Sequence, residues 1–208
     1  MKQIKRVFLL SLILVVVFSL NFVTASAAPK EFNENFQKYD AGSYPTCFMP
    51  FNAGAIQGVS SEYGSKAFVI GNEEFGFTDH GAMVDIDPDA TSLTLSFKIL
   101  MTGEGQTATA LIHNGVAVQV MFVGGGIMAS SGQEDFVPVG AYSTETWYRV
   151  IAKVDLVNET YDLIIDDVKV ADDFEVSHQP IPVNLLVGTY GADNTAAFDN
   201  MSIKSKSK

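Results

Sequence analysis

Residues 146–170 read TWYRVIAKVDLVNETYDLIIDDVKV, and this stretch decides the fold. Tyr148, Val150, Ala152, Val154 and Leu156 fall on one face of an extended chain. Trp147, Arg149, Ile151, Lys153 and Asp155 fall on the other. Strand side chains alternate between faces, so the pattern predicts a half-buried strand. Its mixed face meets water or a ligand. Asn158-Glu159 turns the chain, and Tyr161, Leu163 and Ile165 return as the partner strand. Asp166-Asp167 then makes a tight turn into Val168-Lys169-Val170.

The same pattern extends outward from this hairpin. In Ser92–Leu100, Leu93, Leu95, Phe97 and Ile99 face one way and Thr94, Ser96 and Lys98 the other. Val116–Val123 is a further strand, reached through Asn114-Gly115, a strong two-residue hairpin signal. Gly124-Gly125-Gly126 turns into the next. Helical periodicity is scarce. Many short strands separated by Gly, Asn, Asp and Pro predict an all-β protein, a two-sheet antiparallel jelly-roll sandwich.

The ends read differently. Lys2, Lys5 and Arg6 precede an apolar run, Val7–Leu20, and then Ala25-Ser26-Ala27. A basic start, a short apolar run and a small-x-small site predict a secretory signal peptide over 1–27, cleaved after Ala27. The run is short for a membrane-spanning helix, so no membrane insertion is expected after cleavage. Residues 28–208 are read as a single β-sandwich domain with its core at about 31–204. The tail from Lys204 to Lys208 reads as a frayed basic end.

The 208 residues carry 13 basic and 24 acidic side chains. Losing 1–27 removes three basic and no acidic residues, leaving 10 against 24, or −14. That excludes nucleic acid as the expected partner, because phosphate binding needs clustered Lys and Arg. It also disfavours anionic membranes. One cysteine, Cys47, cannot staple an exported chain; it reads as buried and inert.

Four stretches carry a resemblance. Glu34–Pro45 is similar to an opening strand followed by a G-x-x-P corner; Leu93–Leu100 to a central strand; Trp147–Val150 with Tyr161-Asp162-Leu163 and Asp166-Asp167 to a W-h-x-h…Y-x-h-h-h-D-G hairpin; Ala197–Met201 to a closing FDNI strand. The chain thus resembles the concanavalin A-like lectin/glucanase superfamily, in its laminin-G-like branch. Asp167 stands where the family pattern has Gly. The resemblance spans roughly 31–204 and implies the jelly roll; that fold hosts lectins, hydrolases, lyases and adhesion domains alike.

Each catalytic chemistry makes its own demand on the residues. Retaining hydrolysis needs two carboxyls about 5 Å apart. Asp162 and Asp166 share a strand face, but Asp166 ends in a turn; Glu134-Asp135 point apart. A lyase would need Arg, His, Gln and Tyr converging on a uronate, and an acidic chain is a poor host for one. Asp85-Ile86-Asp87-Pro88-Asp89 fails as an EF-hand, with Ala90 and Ser96 at its sixth and twelfth positions. The resemblance implies instead a structural calcium between first and last strands, held by Glu34 and Asp199; otherwise these are two exposed acids at a strand edge.

Sugar sites use flat aromatic faces and planar polar groups. The candidates are Trp147 with Arg149, then Tyr142 and Tyr190 near loops, and His113 flanking a turn. A lone Trp is also often a packing residue, and His113 also reads as an exposed turn residue. Asn158-Glu159-Thr160 and Asn200-Met201-Ser202 match the N-glycosylation pattern. The expectation is a secreted, non-catalytic carbohydrate-binding module for polysaccharide or cell-surface glycan. The alternatives are a glycoside hydrolase or polysaccharide lyase of this fold, and an extracellular adhesion or structural protein.

Overall fold

A computed structural model describes residues 31–52, 56–72, 77–84, 86–132, 135–178, 184–190 and 194–207. The segment 1–27 read from the sequence as a signal peptide, Asp85 of the acidic run and Glu134 lie outside them. The described residues form strands, turns and bends without helix, in two antiparallel sheets packed as a sandwich.

Sheet A contains β1 (Glu31–Glu34), β3 (Ile56–Ser60), β4 (Ala67–Asn72), β6 (Ala90–Met101), β11 (Trp147–Asp155), β12 (Thr160–Ile165), β13 (Val168–Glu175) and β16 (Asn194–Ser207). Its order is β13-β12-β11-β6-β16-β4-β3, with β1 also on β16. Sheet B contains β2 (Met49–Asn52), β5 (Phe77–Ala82), β7 (Gln106–His113), β8 (Val116–Val123), β9 (Gly126–Ser131), β10 (Asp135–Ala141), β14 (Ser177–His178) and β15 (Leu185–Tyr190). Its order is β10-β9-β8-β7-β15-β5-β2, with β14 on β8.

The hairpin at 146–170 takes the predicted register. Val150, Ala152 and Val154 are buried against the core, while Arg149 and Lys153 are exposed. Asp166 and Asp167 have φ of 47° and 66°. Both central residues therefore lie in the left-handed region that a tight hairpin turn requires. Asp tolerates it better than most residues, so the departure from Gly at 167 leaves the turn intact. The Asp166 carboxylate accepts the Arg149 N–H at 2.8 Å and locks it. Asn114 (φ 50°) and Gly115 (φ 86°) form the equivalent turn between β7 and β8.

Leu93, Leu95, Phe97 and Ile99 are buried as the alternation requires. At one end of the core, Phe36, Phe48, Phe68, Tyr44 and His80 gather, with Phe68 stacked on Phe48 at 5.0 Å and edge-on to His80 at 5.3 Å.

The expectation of a frayed tail over Lys204–Lys208 is overturned for residues 204–207; Lys208 lies outside the described residues. Lys204, Lys206 and Ser207 pair with Thr94, Ser92 and Ala90 of β6, and Lys204 also pairs with Glu31 of β1. Residues 204–207 are thus the last part of β16, paired with β6 throughout and with β1 at Lys204.

Candidate functional site

The outward side of sheet A is built by the residues that alternate with the core. One row across it runs Trp147–Leu100–Ala197–Val69 on β11, β6, β16 and β4. Leu100, Ala197, Val69 and Ala67 are buried, with Trp147 and Tyr63 packed over them. The indole N–H donates to the Tyr63 carbonyl at 3.3 Å. Trp147 is thus half-buried in a small apolar nest, its position fixed and part of its ring open.

The next row is Arg149–Lys98–Asp199. Arg149 is exposed and reaches Asp167 at 3.1 Å. The third is Ile151–Ser96–Ser202, the fourth Lys153–Thr94–Lys204 and the fifth Asp155–Ser92–Lys206. The face therefore bears hydroxyls and four exposed lysines, interspersed with Asp155, Asp162, Asp199 and Glu31, with the aromatic nest at one end. That Lys98, Lys153, Lys204 and Lys206 share this face is invisible in the sequence, because it depends on which strands become neighbours.

Other candidates lie elsewhere. Tyr142 is a core residue, 7% exposed. Its ring meets Phe122 at 5.4 Å and its hydroxyl donates to the Gly103 carbonyl. The expectation of a loop ring open to ligand fails because Tyr142 follows the end of β10 and turns under the β8–β9 turn, donating its N–H to the Gly125 carbonyl. His113 is 6% exposed rather than an exposed turn residue. It is the last residue of β7, paired with Val116, and burial pulls its imidazole down. Tyr190 ends β15, half-buried beside Gln106. None of the three is brought to Trp147.

The implied calcium pair does not fit. β1 and β16 do lie side by side, with Glu34 opposite Met201. A bulge at Asn200 (φ 51°) then separates the two acids. Glu34 shares the core face with buried Met201, whereas Asp199 shares the outer face with Lys98. Glu34 accepts from the Phe36 N–H at 2.8 Å and the Tyr39 hydroxyl at 3.3 Å, and meets the Lys38 ammonium at 2.7 Å. Asp199 accepts from the Ser65 hydroxyl and the Asn200 N–H. Calcium needs convergent oxygens with free lone pairs; these oxygens diverge and face donors. Nor are they exposed acids, at 3% and 6%. Asp162, Asp172 and Asp173 do bring carboxylate oxygens together. The Lys169 ammonium already occupies that cluster, 2.9 Å from Asp162 and 2.6 Å from Asp172. Cys47 is half-buried, and burial pushes its thiol up to about 11, as an inert residue requires.

Sheet B offers one group that the sequence does not single out. Asp79 and His80 are consecutive on β5 and point to opposite faces. Asp79 faces outward beside Gly188, and desolvation pushes its carboxyl up to about 7. His80 faces the core, fully buried, and burial holds its imidazole down at about 4. Its Nδ1 shares a 2.8 Å hydrogen bond with the Tyr44 hydroxyl, and its Nε2 has no partner among the described residues.

These shifts give opposed pH dependences. Folded Asp79 keeps a proton that the unfolded chain releases near pH 3.9, so its contribution is present below that pH and is lost as pH rises to about 7. Folded His80 stays neutral where the unfolded imidazole is charged, so stability is lost as pH falls from about 6.5 to about 4. We expect Asp79→Asn to leave a stability that climbs with pH across this window, and His80→Phe one that declines. Urea unfolding at several pH values measures both slopes; unchanged slopes in both variants would contradict these environments.

No protein-family profile matches the sequence, and no curated protein matches it. Solved structures share the backbone. A sialidase superposes with a TM-score of 0.68 at 14% identity, over 85% of this chain and 18% of that chain, so this protein spans less than a fifth of the sialidase. A transglycosylase in complex with NAG gives 0.56 at 13% identity, over 85% and 84%. An alginate lyase gives 0.51 at 12% identity, over 86% and 98%. At such identities the likeness is one of architecture: the chain has the antiparallel two-sheet β-sandwich, of jelly-roll type, that these proteins also have.

Proposed function

We propose that the chain is an exported, non-catalytic carbohydrate-binding module, laminin-G-like within the concanavalin A-like group. The observation that carries the reading is the outer face of sheet A. A fixed, part-open indole stands at one end of it on an apolar nest, an exposed guanidinium lies in the next row, and Ser and Thr hydroxyls fill the rows beyond. Sugars offer a flat C–H face to the first and hydroxyls to the others. The solved structures of like architecture include a sialidase, an alginate lyase and a NAG-bound transglycosylase, which agrees with a role on glycans. The two acids that share a strand face are engaged elsewhere: Asp162 holds Lys169, and Asp166 caps the hairpin turn.

Affinity electrophoresis through gels cast with a panel of polysaccharides tests this. We expect retardation on at least one polymer, whose chain length stays unchanged. Trp147 is the only tryptophan, so its emission should shift with binding. Trp147→Ala should weaken retention about tenfold, a loss of about 1.4 kcal/mol. Retention equal to wild type in that variant would remove this face from the site.

A second reading has an observation of its own. A carboxyl near pH 7 is what general acid catalysis needs, and Asp79 has one, on the outer face of sheet B beside Gly188. Shortening of a polymer in the same gels, abolished by Asp79→Asn, would replace the binding module by an enzyme.

A further inference from the structure

We infer that the outer face of sheet A takes an anionic polysaccharide, a chain with carboxylates on its sugars, along a track of Lys98, Lys153, Lys204 and Lys206. The inference rests on the carbohydrate-binding reading and names its ligand class.

The protein as a whole is acidic, with a net charge of −11. Yet these four exposed lysines stand on three adjacent central strands, β11, β6 and β16, all on one face. Among the described residues none of the four has a carboxylate within ion-pairing distance, whereas Lys38, Arg149 and Lys169 each have one. The acids nearest the track are engaged or peripheral. Asp162 holds Lys169; Asp155 accepts from the Val157 and Asn158 N–H groups; Asp199 is buried under Ser65; Asp167 holds Arg149. Glu31, exposed on edge strand β1 opposite Lys204, and Asp155, across Ser92 from Lys206 and bonded only to neutral N–H groups, are the exceptions.

The spacing suits a chain ligand. Lys153 and Lys204 flank Thr94, about 10 Å apart across two strand intervals, and Lys206 follows Lys204 by about 7 Å along β16. The hydroxyls of Ser92, Thr94, Ser96 and Ser202 lie between them. Carboxylates would meet the ammonium groups while sugar hydroxyls meet the floor. An exposed ion pair is weak, so several lysines must act along one chain. The acidic remainder of the surface repels a polyanion and confines it to this track. That same repulsion disfavours a duplex, whose charge is displayed on every side.

The test uses the full chain in gels cast with polygalacturonate or with a neutral glucan, at low and raised salt, and with a DNA duplex as competitor. We expect retardation by polygalacturonate that fades as salt rises. Lys153→Gln combined with Lys204→Gln should weaken it about tenfold, with an unchanged melting temperature, because exposed lysines contribute little to stability. Retention by neutral glucan alone would overturn the anionic ligand while leaving the carbohydrate reading intact. Polygalacturonate retention undiminished in the double variant would overturn the track. Displacement by an equal charge of DNA would show a general polyanion site and overturn the ligand class. Absence of retention on every polymer would sink both readings.

Discussion

Val150→Asp should abolish the folded state. Val150 is fully buried in mid-strand, opposite Phe97 on β6 and Ile165 on β12, which are 1% and 7% exposed. A carboxylate placed there has apolar neighbours on both sides and no donor. Burying an ionised group without a partner costs several kcal/mol, comparable with the whole ~5–15 kcal/mol stability of a domain. The protein should therefore show neither a cooperative melt nor structured tryptophan emission at neutral pH. Two companions keep the result interpretable. Val150→Ala removes two methyl groups and should cost about 2 kcal/mol while leaving a folded protein. Ile151→Asp, one residue along and on the outer face, should also fold, because a shift of one position changes the face. Equal unfolding by Ile151→Asp and Val150→Asp would mean that both sides of β11 are core, and the pairing of Val150 with Phe97 on an inward face would be wrong.

That contrast also marks how far the sequence can be read. The strands at 92–100 and 147–155 are legible because their apolar residues alternate strictly, and a period of two has one structural meaning. Asn114-Gly115 and Asp166-Asp167 are legible because few residues accept positive φ in a two-residue turn. Lys204 to Ser207 is not. Ser and Lys have little intrinsic preference for strands, and that stretch is extended because β6 offers it a partner along its length, with β1 beside Lys204. The Glu34–Asp199 pair fails for a local reason. One extra residue at the Asn200 bulge turns Asp199 to the outer face, and nothing in FDNMS announces a bulge. Trp147 and Arg149 follow from alternation. The lysines on that face do not, because Lys98, Lys153 and Lys204 are distant in sequence and come onto one face only through strand order. Asp79 is hidden for another reason: Phe77–Ala82 shows no clean alternation, so nothing assigns its face.

Phe68→Ala is expected to be the most damaging truncation in the core, and it reaches beyond packing. The ring is fully buried and touches Phe36, Tyr44, Phe48 and His80, with centroids 5.0–5.9 Å away. These partners come from β5 and the segment between β1 and β2, so Phe68, on β4, ties the start of the described chain to both sheets. Removing a buried Phe costs about 3–5 kcal/mol, through lost transfer energy and the cavity left behind. For a domain of this length that lowers the melting temperature by roughly 6–20 °C. Phe68→Leu should cost markedly less, since it keeps most of the volume. The second consequence concerns His80. Its imidazole is held down at about 4 by burial alone, and the Phe68 ring forms part of that burial. A cavity beside Nε2, which has no partner among the described residues, is polar on one side and can admit water. The folded-state pKa of His80 should then move back toward about 6.5, and the loss of stability on acidification should shrink in the Ala variant while persisting in the Leu variant. Thermal melts at about pH 4 and about pH 7, which bracket the window set by His80, separate the two effects. A drop in melting temperature with an unchanged acid slope would mean that the cavity collapses or stays dry and that other groups desolvate His80.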